Sequence, residues 1–327
     1  MSYLNGNPGD IQRAAELVIS NFESVGTEGL DVLYPEIKYL DVLPESLPDT
    51  SASAGADIFS KIFRDRRGVG DWRAVGSNAV PQVGYTINKL SVEMYNAGVS
   101  SVIDLQDIAR SEQARSLGEQ YGINVLREVT DTMRLSSERH IEKIVFFGDP
   151  EKEFEGYISN SNIPQTTVEV GASLSTEWDT KTPDEIIFDV VSAITRIYEN
   201  SRGVFVPTHV YLPLSQYDLI LAMKAGTRAN DETVYNYLRT QTLPARTHGE
   251  FMIEPLRYLA GAGAGSTDRM MMATKEDSYF MMAMPIPFRL LSASGVMDGY
   301  NQKLYSEYKF SGVKVVYPTA FDYADGI

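Results

Sequence analysis

Residues 118–150 read Gly118-Glu-Gln-Tyr-Gly-Ile-Asn-Val-Leu-Arg-Glu-Val-Thr-Asp-Thr-Met-Arg-Leu-Ser-Ser-Glu-Arg-His-Ile-Glu-Lys-Ile-Val-Phe-Phe-Gly-Asp-Pro150. Leu126, Val129, Met133, His140, Ile141 and Ile144 recur at helical spacing, with Arg127, Asp131, Arg134, Glu138 and Lys143 on other faces. No proline interrupts the chain from Gln82 to Asp149. The pattern predicts a helix from Tyr121 to Phe147, roughly 40 Å long at about 1.5 Å per residue. Gly148 stands where a left-handed cap ends such a helix, and Pro150 forbids its continuation. Globular helices usually run about 10–14 residues. A longer one is expected to serve as a spine carrying separate subdomains.

Working outward, the chain before this helix is poor in core-forming sequence. Residues 1–50 carry nine acids and two bases, a net charge of −7 in a chain of −15 overall. They hold one expected short helix, Gln12–Phe22, and the prolines Pro35, Pro44 and Pro48, and read as an arm. Ser51-Ala-Ser-Ala-Gly-Ala links the arm to residues 52–95, which we read as a long β-hairpin turning at Arg67-Gly-Val-Gly-Asp. In its second half Val83, Tyr85 and Ile87 share one parity and Leu90, Val92 and Met94 the other. Such a switch signals a bulge or a change in the buried side. The region 57–73 holds five bases and three acids, a local excess of +2. Two-stranded hairpins are marginal in water, so this one needs another surface.

After the long helix, Thr166–Val170 alternates as a strand, and residues 180–290 read as an α/β unit. Thr182-Pro183-Asp184 opens a helix, with Pro at its first position and acids in the first turn. Thr208–Leu212 reads as a buried strand, Leu214–Lys224 and Glu232–Arg239 as helices. Phe251–Ile253, Arg269–Thr274 and Ser278–Met284 read as further strands. Lys303–Phe310 and Val313–Pro318 end the chain in sheet.

Candidate chemistry is sparse. The absence of cysteine excludes disulfides, thiolate metal sites and thiol catalysis. No apolar run approaches the roughly 18 residues of a membrane span. The first residues lack the basic and apolar regions of a signal peptide, so use without membrane crossing is expected. The acidic balance argues against tracking nucleic-acid phosphates. Gly261-Ala-Gly-Ala-Gly-Ser-Thr has Gly265 where a phosphate loop needs Lys, and it precedes a strand-like run; it reads as a flexible loop. His140, His209 and His248 are scattered and read as structural or solvated. Asp149, Glu151, Glu153 and Glu155 read as a solvated acidic loop, and Met270–Met272 with Met281–Met284 as adaptable core filler. No catalytic set, cofactor or metal is expected.

Three passages carry a family texture. They are Phe146-Phe-Gly-Asp followed by Glu155-Gly-Tyr-Ile-Ser-Asn-Ser-Asn-Ile-Pro, then Val206-Pro-Thr-His-Val-Tyr-Leu-Pro ahead of Tyr217, and the ending Gly312-Val-Lys-Val-Val-Tyr-Pro-Thr-Ala-Phe. In their order and spacing they resemble the major capsid proteins of tailed bacteriophages, a fold shared with encapsulins and the herpesvirus capsid floor domain. The resemblance covers most of the chain and implies an α+β fold in five parts. These are an N-terminal arm (1–50), an extended β-hairpin loop (51–96), a peripheral domain (97–179) with the spine helix 118–147, an axial domain (180–290), and a return to the peripheral sheet (291–327).

It also implies a non-enzymatic subunit of an icosahedral shell, built as hexamers and pentamers of itself and located in the virion capsid after assembly in the host cytoplasm. Portal, scaffolding and decoration proteins are further implied partners, with packaged double-stranded DNA enclosed without sequence-specific binding. Wall negative charge would keep such DNA from sticking. No long basic or coiled-coil region precedes the arm, so no internal scaffolding segment is expected. Some family members crosslink a lysine to an asparagine, but nothing singles out Lys61 or Lys89 for that chemistry. An encapsulin-like compartment or another phage head or tail component is the alternative. Lys61, Arg64, Arg66, Arg67, Trp72 and Arg73 are the expected inter-subunit residues, since Arg and aromatic side chains often anchor interfaces.

Overall fold

The computed structural model describes residues 35–67, 84–116, 125–226, 232–249, 251–291 and 296–327. The expected helix Gln12–Phe22, most of the arm, the start of the spine, and Trp72 and Arg73 lie outside them. The fold is α+β, with helices and strands gathered around two main cores.

The spine helix runs Val125–Phe147 and buries Met133, Ser137, Ile141, Glu142, Ile144, Val145 and Phe146. It stops at Gly148, which takes φ +74°, a conformation glycine adopts without Cβ strain. The chain then doubles back, so that the N–H groups of Tyr157 and Ile158 donate to Val145 O and Phe146 O at 2.8 and 3.1 Å. Otherwise unpaired carbonyls at the helix end are thereby satisfied by backbone.

Beneath the helix lies an antiparallel sheet centred on the strand Asn301–Phe310. Ile286–Leu290, Val296–Asp298, Tyr95–Ala97 and Ser100–Asp104 all pair with it. Its alternate residues Gln302, Leu304, Ser306, Tyr308 and Phe310 are buried, as expected of a strand with one face on a core. Met133 closes a small cluster with Ile103 and Leu304. Helical spacing puts Met133 and Ile144 on one apolar stripe, which predicts that both pack against the closing strand at Val313 and Val315. Only Ile144 shares the large core with those residues. The two positions are eleven residues apart, about 16 Å along the helix, and so cover different parts of the molecule. Met133→Ala should cost about 2 kcal/mol, the low end for a buried Met, because the cluster is small. Urea unfolding of the unassembled subunit measures this, and a loss no larger than that of an exposed substitution would remove Met133 from the core.

The second unit is a five-stranded sheet in the spatial order Gln165–Thr167, Asp322–Asp325, Arg269–Ala273, His209–Leu212, Met252–Pro255. Its faces feed different cores. Met271, Tyr211 and Tyr323 enter the core beside the spine, while Met270, Met272, Val210, Leu212 and Ala324 enter the core under the helix Pro183–Asn200. That helix opens with a reciprocal capping box between Thr182 and Glu185 and buries Ile186, Ile187, Val190, Ala193, Ile194 and Ile197. Helices Leu214–Ala222, Val234–Gln241 and Leu243–His248 complete the layer.

Three features differ from the expected layout. Ile286–Leu290 belongs with the sheet of Asn301–Phe310, so the α/β unit ends before residue 290. The last strand, Asp322–Asp325, joins the five-stranded sheet, antiparallel to Arg269–Met272 and parallel to Gln165–Thr167. Ser278–Met284, expected as a strand, is a short helical turn, Asp277–Tyr279, followed by a two-residue strand, Phe280–Met281.

Buried charges tie these units together. Glu142 on the spine accepts from the Lys38 N–H at 2.7 Å and from Arg257 at 3.5 Å, joining the end of the arm to the segment after Met252–Pro255. Arg196 pairs with Asp322 at 2.6 Å, yet burial still pushes the Asp322 carboxyl up to about 6. Lys181 and the Trp178 indole both donate to buried Asp189, at 2.6 and 3.0 Å.

Candidate assembly surface

The hairpin pairs Ile58–Arg67 with Gly84–Glu93 in one unbroken register, from Ile58↔Glu93 to Arg67↔Gly84. The parity switch in the sequence is therefore no bulge within the paired strands. Near the root, Phe59, Leu90 and Val92 face the large core. Toward the tip, the apolar residues Tyr85 and Ile87 lie on the opposite, open face, where Tyr85 is 75% exposed. The apolar side changes along the strand, while burial stays on one side and ends toward the tip.

The packed face is fixed to its own subunit. Lys61 Nζ donates to Phe280 O at 3.2 Å, Lys314 Nζ donates to Ser91 O at 3.3 Å, and the Phe63 ring meets Tyr317 edge-on at 6.1 Å. At the root, the buried Lys309 pairs with Asp57 at 2.9 Å. Lys61, expected at an inter-subunit contact, is thus engaged within its own chain.

The open face carries Ile58, Ile62 and Arg64 on one strand and Tyr85, Ile87 and Lys89 on the other. The register pairs Arg66 with Tyr85 and Arg67 with Gly84. The structure thus sets Arg64, on the open face, apart from Lys61 on the packed one. Ile62 is 67% exposed and Ile87 57%, an apolar load that a solvent-facing strand seldom carries.

At its root the open face enters a cleft of about 550 Å³, lined by Ile58, Ser91 and Glu93 from the hairpin and by Glu151, Glu153 and Glu155 from the acidic loop, among others. Lys152, also lining it, is paired with Asp149 at 3.6 Å, and Glu155 accepts from Asn162 at 2.7 Å. The sequence showed the acids and the bases. That both belong to one continuous surface required the fold.

The other sequence candidates have structural partners. His140 Nδ1 lies 2.7 Å from Tyr308 Oη, its ring edge-on to the stacked Tyr308 and Phe310 rings, and burial with Lys152 and Lys143 holds its pKa down. His209 stacks on Tyr211 and bonds Thr208, and burial lowers it to about 4. In the Gly261–Thr267 loop the N–H groups of Gly261 and Ala264 donate to the carboxylates of Asp268 and Asp325 at 3.0 and 2.8 Å. Donors that would cradle a phosphate already hold anions. Among the described residues no group of three or more His, Asp or Glu is placed to hold a metal ion, and no helix is long and apolar enough to cross a membrane.

The fold is that of phage capsid proteins. The chain is similar to the capsid of the Myoviridae phage XM1 with a TM-score of 0.75 at 13% identity, over 94% of this chain and 98% of that one. It is similar to the capsid of an empty GTA particle (TM-score 0.56, 10% identity, 95% and 97%) and to a chain from Microbacterium phage Oxtober96 (0.57, 12% identity, 97% and 98%). No curated protein matches the chain. The family model described as major capsid protein matches residues 68–327, and the chain belongs to that family. It is a structural, non-enzymatic capsid component.

Proposed function

We propose that the chain self-assembles through hexamers and pentamers into an icosahedral shell enclosing the double-stranded DNA of a tailed phage. Portal, scaffolding and decoration proteins act as further partners, and assembly takes place in the host cytoplasm. The observation that carries this reading, beside family membership, is the hairpin: it bears an apolar and basic face that the described residues leave open. Identical neighbours offer identical surfaces, and heterologous contacts between them close into rings. In this assignment the unit on the five-stranded sheet is axial, the unit on Asn301–Phe310 and the spine is peripheral, and residues 1–50 and 51–96 are the arm and extended loop. Arg64, Arg66, Arg67, Trp72 and Arg73, with Lys61 nearer the root, make the inter-subunit contact.

Negative-stain microscopy of the recombinant protein, alone and with a scaffolding partner, should show closed particles tens of nanometres wide. Particles that enclose a cargo enzyme would favour the compartment reading, open rings another head or tail component, and persistent monomers would overturn assembly altogether.

A further inference from the structure

We infer that residues 38–49, the end of the arm, are a strap that fixes the angle between the spine helix and the five-stranded sheet. All earlier residues reach the rest of the chain only through this strap, so it passes the state of the arm on to that angle. The inference rests on the shell reading and deepens it, since the angle within a subunit sets its share of the shell's curvature. Separate bonds pin the strap to both units. On the spine side the buried Glu142 accepts from the Lys38 N–H at 2.7 Å. On the sheet side Lys275, two residues past the strand Arg269–Ala273, donates through Nζ to Asp41 O at 2.5 Å. Tyr211 Oη, from the strand His209–Leu212, donates to Val42 O at 3.4 Å. Farther along, Asp49 N donates to Met282 O and Met284 N to Asp49 O, both at 2.9 Å.

Between these pins stands a helix of four residues, Tyr39–Val42, too short to hold its own shape. Tyr39, Val42, Leu43 and Leu47 are buried in the large core, where Ile141, Ile144 and Val145 of the spine meet Tyr211, Met271 and Tyr323 of the sheet. The strap thus takes its form from the two units it joins. Glu142 makes the arrangement two-state. It also accepts from Arg257, at the start of the short turn Arg257–Leu259, at 3.5 Å. Lifting the strap leaves a buried carboxylate with one long bond, which is costly, so engaged and released forms have no graded series between them. The two units also touch directly: the Tyr258 ring lies 4.7 Å from Phe146 and 5.5 Å from Phe147, at the end of the spine. That contact is the pivot, and the strap is the tie.

Hydrogen exchange on the unassembled subunit tests the strap whether or not shells form. Lys275→Met, outside the core, and Glu142→Met, on the spine, each remove a pin. A strap that opens as one body predicts exchange about fivefold faster at the Leu43, Asp49 and Met284 amides in either variant, the effect of one lost hydrogen bond. In the double variant the factors should multiply at all three amides, to about 25-fold. Faster exchange confined to the neighbourhood of each substitution, with the Asp49 and Met284 amides unchanged, overturns the strap. The angle is read separately. The chain has no cysteine, so Thr132→Cys on the spine and Thr195→Cys on the helix Pro183–Asn200, both exposed, take one spin label each. Their distance distribution should be narrow without further change and broader or displaced once Lys275→Met is added. An unchanged distribution overturns the link between strap and angle. Particles of the Lys275→Met protein should be less uniform in diameter than those of the parent, and equal uniformity removes the consequence for curvature. A parent that forms no particles counts against the shell reading and leaves the exchange and distance results standing.

Discussion

Arg269→Met should destabilise the unassembled subunit by about 3–5 kcal/mol, the range for breaking a buried ion pair by removing one partner. Arg269 donates to Asp325 through Nε at 2.6 Å and Nη2 at 3.0 Å, and to Ile158 O through Nη1 at 2.7 Å. Its guanidinium also lies 4.4 Å from the centre of the Tyr323 ring. One side chain thus joins a central strand, the last strand and the turn that caps the spine helix. A methionine fills similar volume but leaves the Asp325 carboxylate buried without its cation. Denaturant unfolding reads the loss, and pH sharpens it. Burial pushes the Asp325 carboxyl up, but Arg269, the Ala264 N–H and Gln165 outweigh it and hold the group below its usual range. The stability it contributes is therefore present above the unfolded carboxyl pKa near 4 and is lost as pH falls through the lower folded value. The deficit of Arg269→Met should accordingly be full at neutral pH and narrow in acid. A deficit under about 1 kcal/mol, the worth of an exposed pair, would mean that the pair is solvated.

Local features of this fold were legible in the sequence because they repeat or punctuate. The spine followed from 3.6-residue spacing and its stop at Gly148, the helix Pro183–Asn200 from Thr182-Pro183 and its apolar face, and Asn301–Phe310 from strict alternation. Sheet membership was not, since alternation states that a strand has a buried face and is silent on its partner. Asp322–Asp325 therefore lay outside the expected sheet although every residue in it is buried. Runs buried all round also misled. Met281–Met284 carries no period, and its backbone is satisfied by an isolated exchange with Asp49: Asp49 N donates to Met282 O, and Met284 N to Asp49 O, both at 2.9 Å. The helix Leu243–His248 had no expected counterpart, and its Pro244 sits in the first turn, where a missing N–H costs nothing.

The candidate surface was half legible. Composition located the bases near the tip and the acids at 149–155, but which bases face outward depends on strand register. Register set Arg64 apart from Lys61.

Gly156→Ala is the second large effect, and it tests how the spine is anchored. A Cβ at Gly156 would stand 2.3 Å from Phe146 O and 2.4 Å from the carbonyl carbon of Phe147, both backbone atoms of the helix end. No side-chain rotation relieves such a contact. The chain must separate from the helix terminus and give up the bonds from Tyr157 and Ile158 to Val145 O and Phe146 O. Gly148 stands across the same junction, opposite Glu155 in the two-residue ladder Gly148–Asp149 with Phe154–Glu155, and its own Cβ would meet Phe154 O at 2.2 Å. Overpacking a well-filled interior typically costs about 1–3 kcal/mol. Against rigid backbone, with two hydrogen bonds at stake, the loss should reach at least the top of that range. Gly55, whose Cβ would meet nothing within 4 Å, is the control, and Gly55→Ala should change stability little. Denaturant midpoints for the two variants decide the matter. If Gly156→Ala unfolds at the same midpoint as Gly55→Ala, the return of the chain onto the spine is looser than this packing, and Arg269 at Ile158 would be anchoring a mobile turn.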